Sequence, residues 1–260
     1  MEFSTIQAVL DDISSGRPII VIDSEDRENE GDLFIPSELI TPETINFMAK
    51  EGRGLICVSI TNERAIELDL EPMERRNSSL HKTNFTISVD AKKNTTTGIS
   101  AFDRCITVKT LIDDNSKSVD LARPGHIFPI VGKDGGVLRR AGHTEASIDL
   151  SVLAGFKPSG VICEIIADDG EMARGNELKK FSKKHNLKII SISSLINHLR
   201  KEKSLVKKIE EIELPTKNGD FKLHLYEGLF DNQTHLALTK GNYLRSDSVL
   251  VRVHSECLTG

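Results

Sequence analysis

The chain has 260 residues, 38% of them hydrophobic, and a formal net charge of −5, which suits a globular protein with a sizeable buried core. The acidic balance argues against a general nucleic-acid binder, whose footprint is a basic face. No apolar run approaches the roughly 20 residues a membrane-spanning helix needs, so neither nucleic acid nor membrane is an expected partner.

The first helix is signalled by Ser4 and Gln7 as a capping box, an apolar face of Ile6, Val9, Leu10 and Ile13, and Gly16 as the stop. Residues 18–22 read as a strand, and Leu33 to Ile35 form a second apolar run. Thr41 followed by Pro42 predicts a capped helix, and residues 54–60 a buried strand. Residues 85–89 alternate like a half-buried strand, and a helix is expected from about Ser100. Residues 127–131 read as a strand in which Pro129 favours an edge or a bend. A helix over 144–153, a strand over 160–166, a helix over 177–185, a strand over 188–192 and a helix over 194–201 follow. This alternation predicts an α/β (α+β) fold, a mixed sheet with helices on both faces. Composition shifts near residues 201–204, dividing the chain into 1–203 and 204–260. The second part reads as strands at 205–214, 221–226, 235–239 and 249–253, a short β-rich segment expected to be incomplete.

Several polar constellations sit where apolar runs end. Residues 23–32 hold six carboxylates and Arg27 directly after the first strand. Like charges at that density repel unless a cation is present, and carboxylate oxygens are the ligands hard divalent ions prefer. A solvated acidic turn is the alternative. The segment from Arg140 through Ala141, Gly142 and His143 to Thr144 opens a helix. Its free N–H groups suit an anion with Arg140 to neutralise it, Thr144 is the expected cap, and His143 stands just before the helix as metal ligand or proton carrier. His126 lies between a glycine and an apolar strand, either a functional group or a satisfied core histidine. Glu164 is embedded in an apolar strand; buried, its proton affinity would rise towards the range useful for acid–base work, although the pleat allows a solvated position. The four cysteines form no CxxC pair, and no basic-then-apolar leader is visible, so reduced thiols and a cytoplasmic location are expected.

Together these stretches resemble the 3,4-dihydroxy-2-butanone-4-phosphate synthase family. The residues that carry the resemblance are Arg27-Glu28-Asn29-Glu30-Gly31-Asp32, Arg53 to Cys57, Phe85 to Asp90, Thr97 to Ser100 with Asp103-Arg104, Pro124 to Pro129, Arg140 to Glu145 and Cys163-Glu164. They cover residues 1–203 in the family's order. The resemblance implies that Glu28 and His143 hold divalent ions (Mg2+ or Mn2+, two per site). It also implies that Arg27, Glu28, Asp32, the Arg140 to Thr144 segment and Glu164 bind ribulose 5-phosphate, and that His126 and Glu164 are the acid–base groups. Cys57, Thr97 and Ser100 would line the pocket. A homodimer, with the pocket near its interface, and a lyase reaction releasing formate are implied as well. The loop at residues 74–79 departs from the Asn-Thr-Asp that many members carry. Residues 204–260 resemble the start of GTP cyclohydrolase II, above all in the stretch from Val251 to Gly260. There Cys257 would be one of three zinc ligands; alone it cannot make such a site, so cyclohydrolase activity is not expected.

Overall fold

The computed structural model describes residues 3–202, 204–229, 233–241 and 248–254. The chain folds as two compact units, Met1–Lys203 and Ser204–Gly260. The first unit has strands β1 (Ile19–Ile22), β2 (Gly31–Pro36), β3 (Cys57–Ile60), β4 (Val89–Ala91), β5 (Leu121–Val131), β6 (Gly160–Glu164) and β7 (Ile189–Ser191). Its helices are α1 (Ile6–Ser14), α2 (Pro42–Phe47), α3 (Asn62–Glu67), α4 (Ala101–Ile112), α5 (His143–Leu153), α6 (Asn176–His185) and α7 (Ile192–Glu202).

The seven strands form one mixed sheet in the order β4-β5-β3-β6-β2-β1-β7. β2 runs antiparallel to both β1 and β6, whereas β3 with β5 and β1 with β7 are parallel. Alternate residues of each strand enter two separate cores. Ile20, Ile22, Leu33, Val161 and Cys163 pack with Ile45, Val108, Leu111 and Leu178 from α2, α4 and α6. Ile19, Val21, Phe34, Cys57 and Ile162 pack with Val9, Ile13, Ala146, Leu150 and Leu199 from α1, α5 and α7. Helices thus cover both faces, which is why the central strands read as unbroken apolar runs.

α5 is held by more than apolar packing. Ser147 Oγ lies 2.7 Å from Ser59 Oγ on β3. The Ser59 hydroxyl in turn accepts from Gly160 N at 2.9 Å and donates to Gly160 O at 3.2 Å. Ser151 donates to Ser159 O at 2.9 Å. Each buried hydroxyl is satisfied, so none carries the desolvation cost of an orphan.

Four local expectations are corrected. Thr5, not Ser4, caps α1, accepting from Ala8 N, because the Ser4 amide is taken by Ile189 O. Residues 85–89 form only isolated bridges, Phe85 to Ile130 and Thr86 to Pro72, and the regular strand starts at Val89. β5 begins at Leu121 and lies between β4 and β3, not at the edge; the Pro129 carbonyl accepts from Thr86 N. The start of α5 has Gly142 at the cap with no side-chain bond, and His143 is its first, buried residue.

The second unit is a three-stranded antiparallel sheet, β10-β9-β8, of β8 (Val206–Thr216), β9 (Gly219–Gly228) and β10 (Thr234–Thr239). Gly219 takes φ +113° where β8 turns into β9, a conformation other side chains resist. Residues 249–253, expected as a strand, carry no regular structure. Cys257 lies outside the described residues.

Candidate active site

β1 ends where six carboxylates begin, and one of them organises the rest. Asp23 is buried. Its Oδ2 accepts from Arg27 Nη1 at 2.8 Å and Glu28 N at 3.1 Å, and its Oδ1 accepts from Glu30 N at 2.9 Å. A short carboxylate that takes three donors from its own loop folds that loop around itself. Arg174, just before α6, holds the other side. Its Nε donates to Asn29 O at 3.2 Å, its Nη2 to Glu28 O at 3.4 Å, and it pairs with Glu30 at 3.6 Å. Gly31 packs closely under Leu178 where the loop re-enters the sheet, so that a Cβ there would meet Leu178 Cδ2 at 2.7 Å.

The loop delivers Glu28 to the start of α5. Glu28 Oε2 lies 3.6 Å from His143 Nδ1, and its Oε1 lies 2.8 Å from Arg27 Nη2. The other nitrogen of the ring, Nε2, is 3.9 Å from Asp32 Oδ1 on β2. Both of these atoms are buried and have no hydrogen-bond partner. Asp32 stands directly opposite Glu164 in the β2–β6 register. Glu164 Oε2 accepts from Leu55 N at 2.8 Å, and Gly54 allows that approach, because a Cβ there would lie 2.6 Å from the same oxygen. Glu164 is half-buried, the last residue of β6.

Proton affinities follow from this crowding. Burial pushes the Asp32 carboxyl up to about 7, with the Glu164, Glu28 and Glu30 charges adding to it and His143 opposing. Burial alone would lower His143, but Asp32, Glu28 and Asp23 outweigh it and raise the ring to about 9. Burial likewise opposes ionisation of Glu28, yet His143, Arg27 and His81 bring its carboxyl down to about 2. Protons therefore stand where the carboxylates need positive charge. Asp23, Glu28 and His143 present ligand atoms within 4.8 Å of one another. The two orphaned atoms nearby make the site fit a divalent cation, for which carboxylate and imidazole donors are suited. Asp23 and Arg174 emerge only from the fold: in sequence, Asp23 is one acid among six, and nothing links Arg174 to a loop 145 residues away.

The remaining expected residues are distributed unevenly. Arg140 is already engaged: Nη1 pairs with Glu145 at 2.7 Å, and Nη2 donates to His81 O at 3.2 Å and Thr83 Oγ1 at 3.3 Å. It braces the 81–83 loop, which carries the His81 ring to 3.9 Å from Glu28. Gly142 and Thr144 are buried beside His143, while Ala141 is exposed. Cys57 is buried; Thr97 is exposed, and Ser100 caps α4 through Asp103 N at 3.0 Å. His126 is not in the cluster. It lies on β5, which β3 and β6 separate from β2. A cavity of about 780 Å³ elsewhere, lined by Ile66, Met73, Arg75, Asn77 and Phe85, includes none of the cluster carboxylates.

The mixed sheet and its buried carboxylate–imidazole cluster define an α/β protein with a site prepared for a cation. The 3,4-dihydroxy-2-butanone 4-phosphate synthase family matches residues 7–198, and the chain belongs to that family of enzymes. The GTP cyclohydrolase II family matches residues 207–260. The chain is 53% identical to riboflavin biosynthesis protein RibBA of Aquifex aeolicus (strain VF5), with 100% of this chain and 64% of the relative covered. It is 51% identical to RibBA of Bacillus cereus (strain AH187), covering 99% and 65%. The chain thus spans slightly under two thirds of these relatives. Among solved structures, RibBX, a two-domain 3,4-dihydroxy-2-butanone 4-phosphate synthase from A. baumannii, superposes with TM-score 0.84 at 42% identity over 92% of this chain and 70% of that one. A 3,4-dihydroxy-2-butanone 4-phosphate synthase in complex with two magnesium ions gives TM-score 0.74 at 39% identity, covering 76% and 98%. No helix among the described residues is long and apolar enough to cross a membrane.

Proposed function

We propose that the first unit is a carbon–carbon lyase of riboflavin biosynthesis that converts D-ribulose 5-phosphate into L-3,4-dihydroxy-2-butanone 4-phosphate and formate. The atoms balance without an external oxidant: five carbons divide into four and one. The observation that carries this reading is the convergence of Glu28, Asp32, His143 and Glu164 from separate chain segments, with Asp32 Oδ1 and His143 Nε2 left unpartnered.

Glu28 and His143 are the residues to hold Mg2+ or Mn2+, two ions per site, in keeping with the magnesium-bound relative. Bound there, the ions would supply Lewis-acid stabilisation of negative charge on the sugar oxygens. Asp32 accepts sugar hydroxyls, and Arg27, fixed by Asp23 and Glu28, contributes positive charge at the loop. The Arg140 to Thr144 segment at the α5 N-terminus takes the anionic end of the substrate, with the Gly142 amide turned to Arg140 O at 2.8 Å and Arg140 paired with Glu145. Glu164 carries protons: its Oε2 is anchored by the Leu55 amide, which fixes the carboxyl against the reacting carbons.

His126 is the second acid–base group, and a homodimer is the means of bringing it to a cluster. Leu55, Ile99 and Phe102 are exposed apolar side chains in the segments next to it, which supports a subunit contact there. A cytoplasmic setting accords with buried free thiols at Cys57, Cys105 and Cys163. The test is incubation with ribulose 5-phosphate and Mg2+ and assay of formate. Formate release that EDTA abolishes supports the reading, and no formate with metal present refutes it.

A further inference from the structure

A pair of side chains outside the carboxylate cluster is held with unusual care. Opposite β4, the register jumps: Val89 faces Ile127 but Asp90 faces Ala122. Residues 123–126 are extruded as a bulge, a device that re-aims a side chain. The aimed residue is His126, 42% exposed at the side chain. Asp90 grips it twice: Oδ1 accepts from His126 N at 2.9 Å, and Oδ2 lies 2.7 Å from Nδ1. One glycine closes over the pair, and another lets the bulge approach the β4 backbone. A Cβ on Gly98, which takes φ +89°, would lie 2.0 Å from Asp90 Oδ2 and 2.6 Å from His126 Nδ1. A Cβ on Gly125 would lie 2.0 Å from Val89 C. Gly98 is pinned from below by Asp103, whose Oδ2 accepts its amide at 3.0 Å.

We infer that Asp90 is a positioning residue for the acid–base chemistry of His126, holding the proton of the neutral ring on Nδ1 so that Nε2 presents a bare lone pair to the substrate. The inference rests on the reading that His126 takes part in the reaction. The geometry makes the assignment one-sided. A carboxylate is acceptor-only, so Oδ2 beside Nδ1 requires an Nδ1–H donor. The remaining nitrogen is then the acceptor, as a general base must be.

The same geometry dictates what an isosteric change does. In Asp90→Asn the backbone amide of His126 is still a donor, so the amide oxygen must face it. The NH2 group is then turned towards Nδ1, which has to accept, and the ring proton moves to Nε2. Shape and packing are kept, while the reacting nitrogen loses its lone pair.

The experiment uses the full chain with 15N-labelled histidine, observed at alkaline pH where imidazoles are neutral, with the His126 signals assigned by their loss in His126→Gln. The expected result is an Nδ1–H tautomer in the parent and an Nε2–H tautomer in Asp90→Asn. Formate turnover in that variant should fall by about 100-fold or more with KM for ribulose 5-phosphate little changed. Unchanged ring signals of the other histidines report the intact fold. Gly98→Ala is the second variant: it keeps both residues but sets a methyl group against their contact, which must shift, and a comparable loss of kcat is expected. A retained Nδ1–H tautomer in Asp90→Asn, or an Nε2–H tautomer with undiminished kcat, overturns the inference. Normal turnover in His126→Gln would instead remove His126 from the reaction altogether. Loss in His126→Gln beside normal turnover in Asp90→Asn would sink only the role given to Asp90.

Discussion

Asp32 and Glu164 occupy opposite positions on adjacent antiparallel strands, two acids in one cross-strand pair. Like charges so placed are destabilising, and Asp32 relieves the repulsion by keeping its proton up to about pH 7, with His143 favouring its charged form. The chemistry and the instability of this site have one origin.

That origin sets a pH dependence. His143, raised from 6.5 to about 9, contributes stability that is complete below about 6.5 and lost as pH rises through 9. Asp32, raised from 3.8 to about 7, also keeps its proton better in the folded chain, and its contribution fades as pH climbs through 7. Glu28, depressed from 4.5 to about 2, contributes above 4.5 and fails as pH falls through 2. Metal-free protein should therefore lose thermal stability from about pH 3.8 to 9, through Asp32 up to about 7 and through His143 from about 6.5 to 9. Added Mg2+ or Mn2+ meets fewer competing protons there, so the rise in Tm it causes should grow across the same interval. Thermal scans with and without metal check this; a gain independent of pH, or one that persists in His143→Ala, would count against the cluster as the binding site.

Glu164→Gln should keep the fold, because the Leu55 amide can still donate to the new side-chain oxygen, and should raise the Tm of metal-free protein slightly by removing a charge opposite Asp32. Formate release should drop by about 10²–10⁴-fold, the usual share of a proton-transferring group. Near-normal turnover would remove Glu164 from the mechanism.

Arg174→Ala tests the outer support of the acidic loop. Its ion pair with Glu30 is partly exposed and worth at most about 1 kcal/mol, so the fold should persist. Its bonds to the Asn29 and Glu28 carbonyls, however, hold the loop that presents Glu28. Groups that orient ligands typically change metal affinity by about 10–100-fold when removed. Titration with Mn2+ should show that loss, and unchanged affinity would make Arg174 a bystander.

Phe34→Ala addresses the sheet. Phe34 is fully buried among α5 and β6 side chains, with its ring pressed against Gly160. Removing it should cost about 3–5 kcal/mol, read from urea denaturation; a loss below about 1 kcal/mol would mean that the core refills.

The fold is legible where one physical signal dominates. Thr41-Pro42, the Ser100 cap and the apolar runs of β1, β3 and β6 declare themselves from residues alone, because burial on both faces leaves no alternation to misjudge. Residues 85–89 mislead for the opposite reason. Their alternation is that of a strand, but the β4–β5 bulge diverts the pairing to Val89–Ala91. In the site, Glu28, Asp32 and Glu164 stand out as costly charges at strand ends, and His143 as an imidazole where a helix begins. Arg140 reads as a free cation, whereas Glu145 and the 81–83 loop already occupy it. The bonds to that loop join segments 57 or more residues apart, a distance that no local pattern records.

The hydroxyl chain under α5 has a last consequence. A helix resting on a sheet through methyl groups alone can creep along its axis, since one greasy notch resembles the next. Ser147 and Ser151 remove that freedom, because each finds its acceptor at a single setting. They act as detents, and what they index is the height of the imidazole one turn beyond Ser147 and two beyond Ser151.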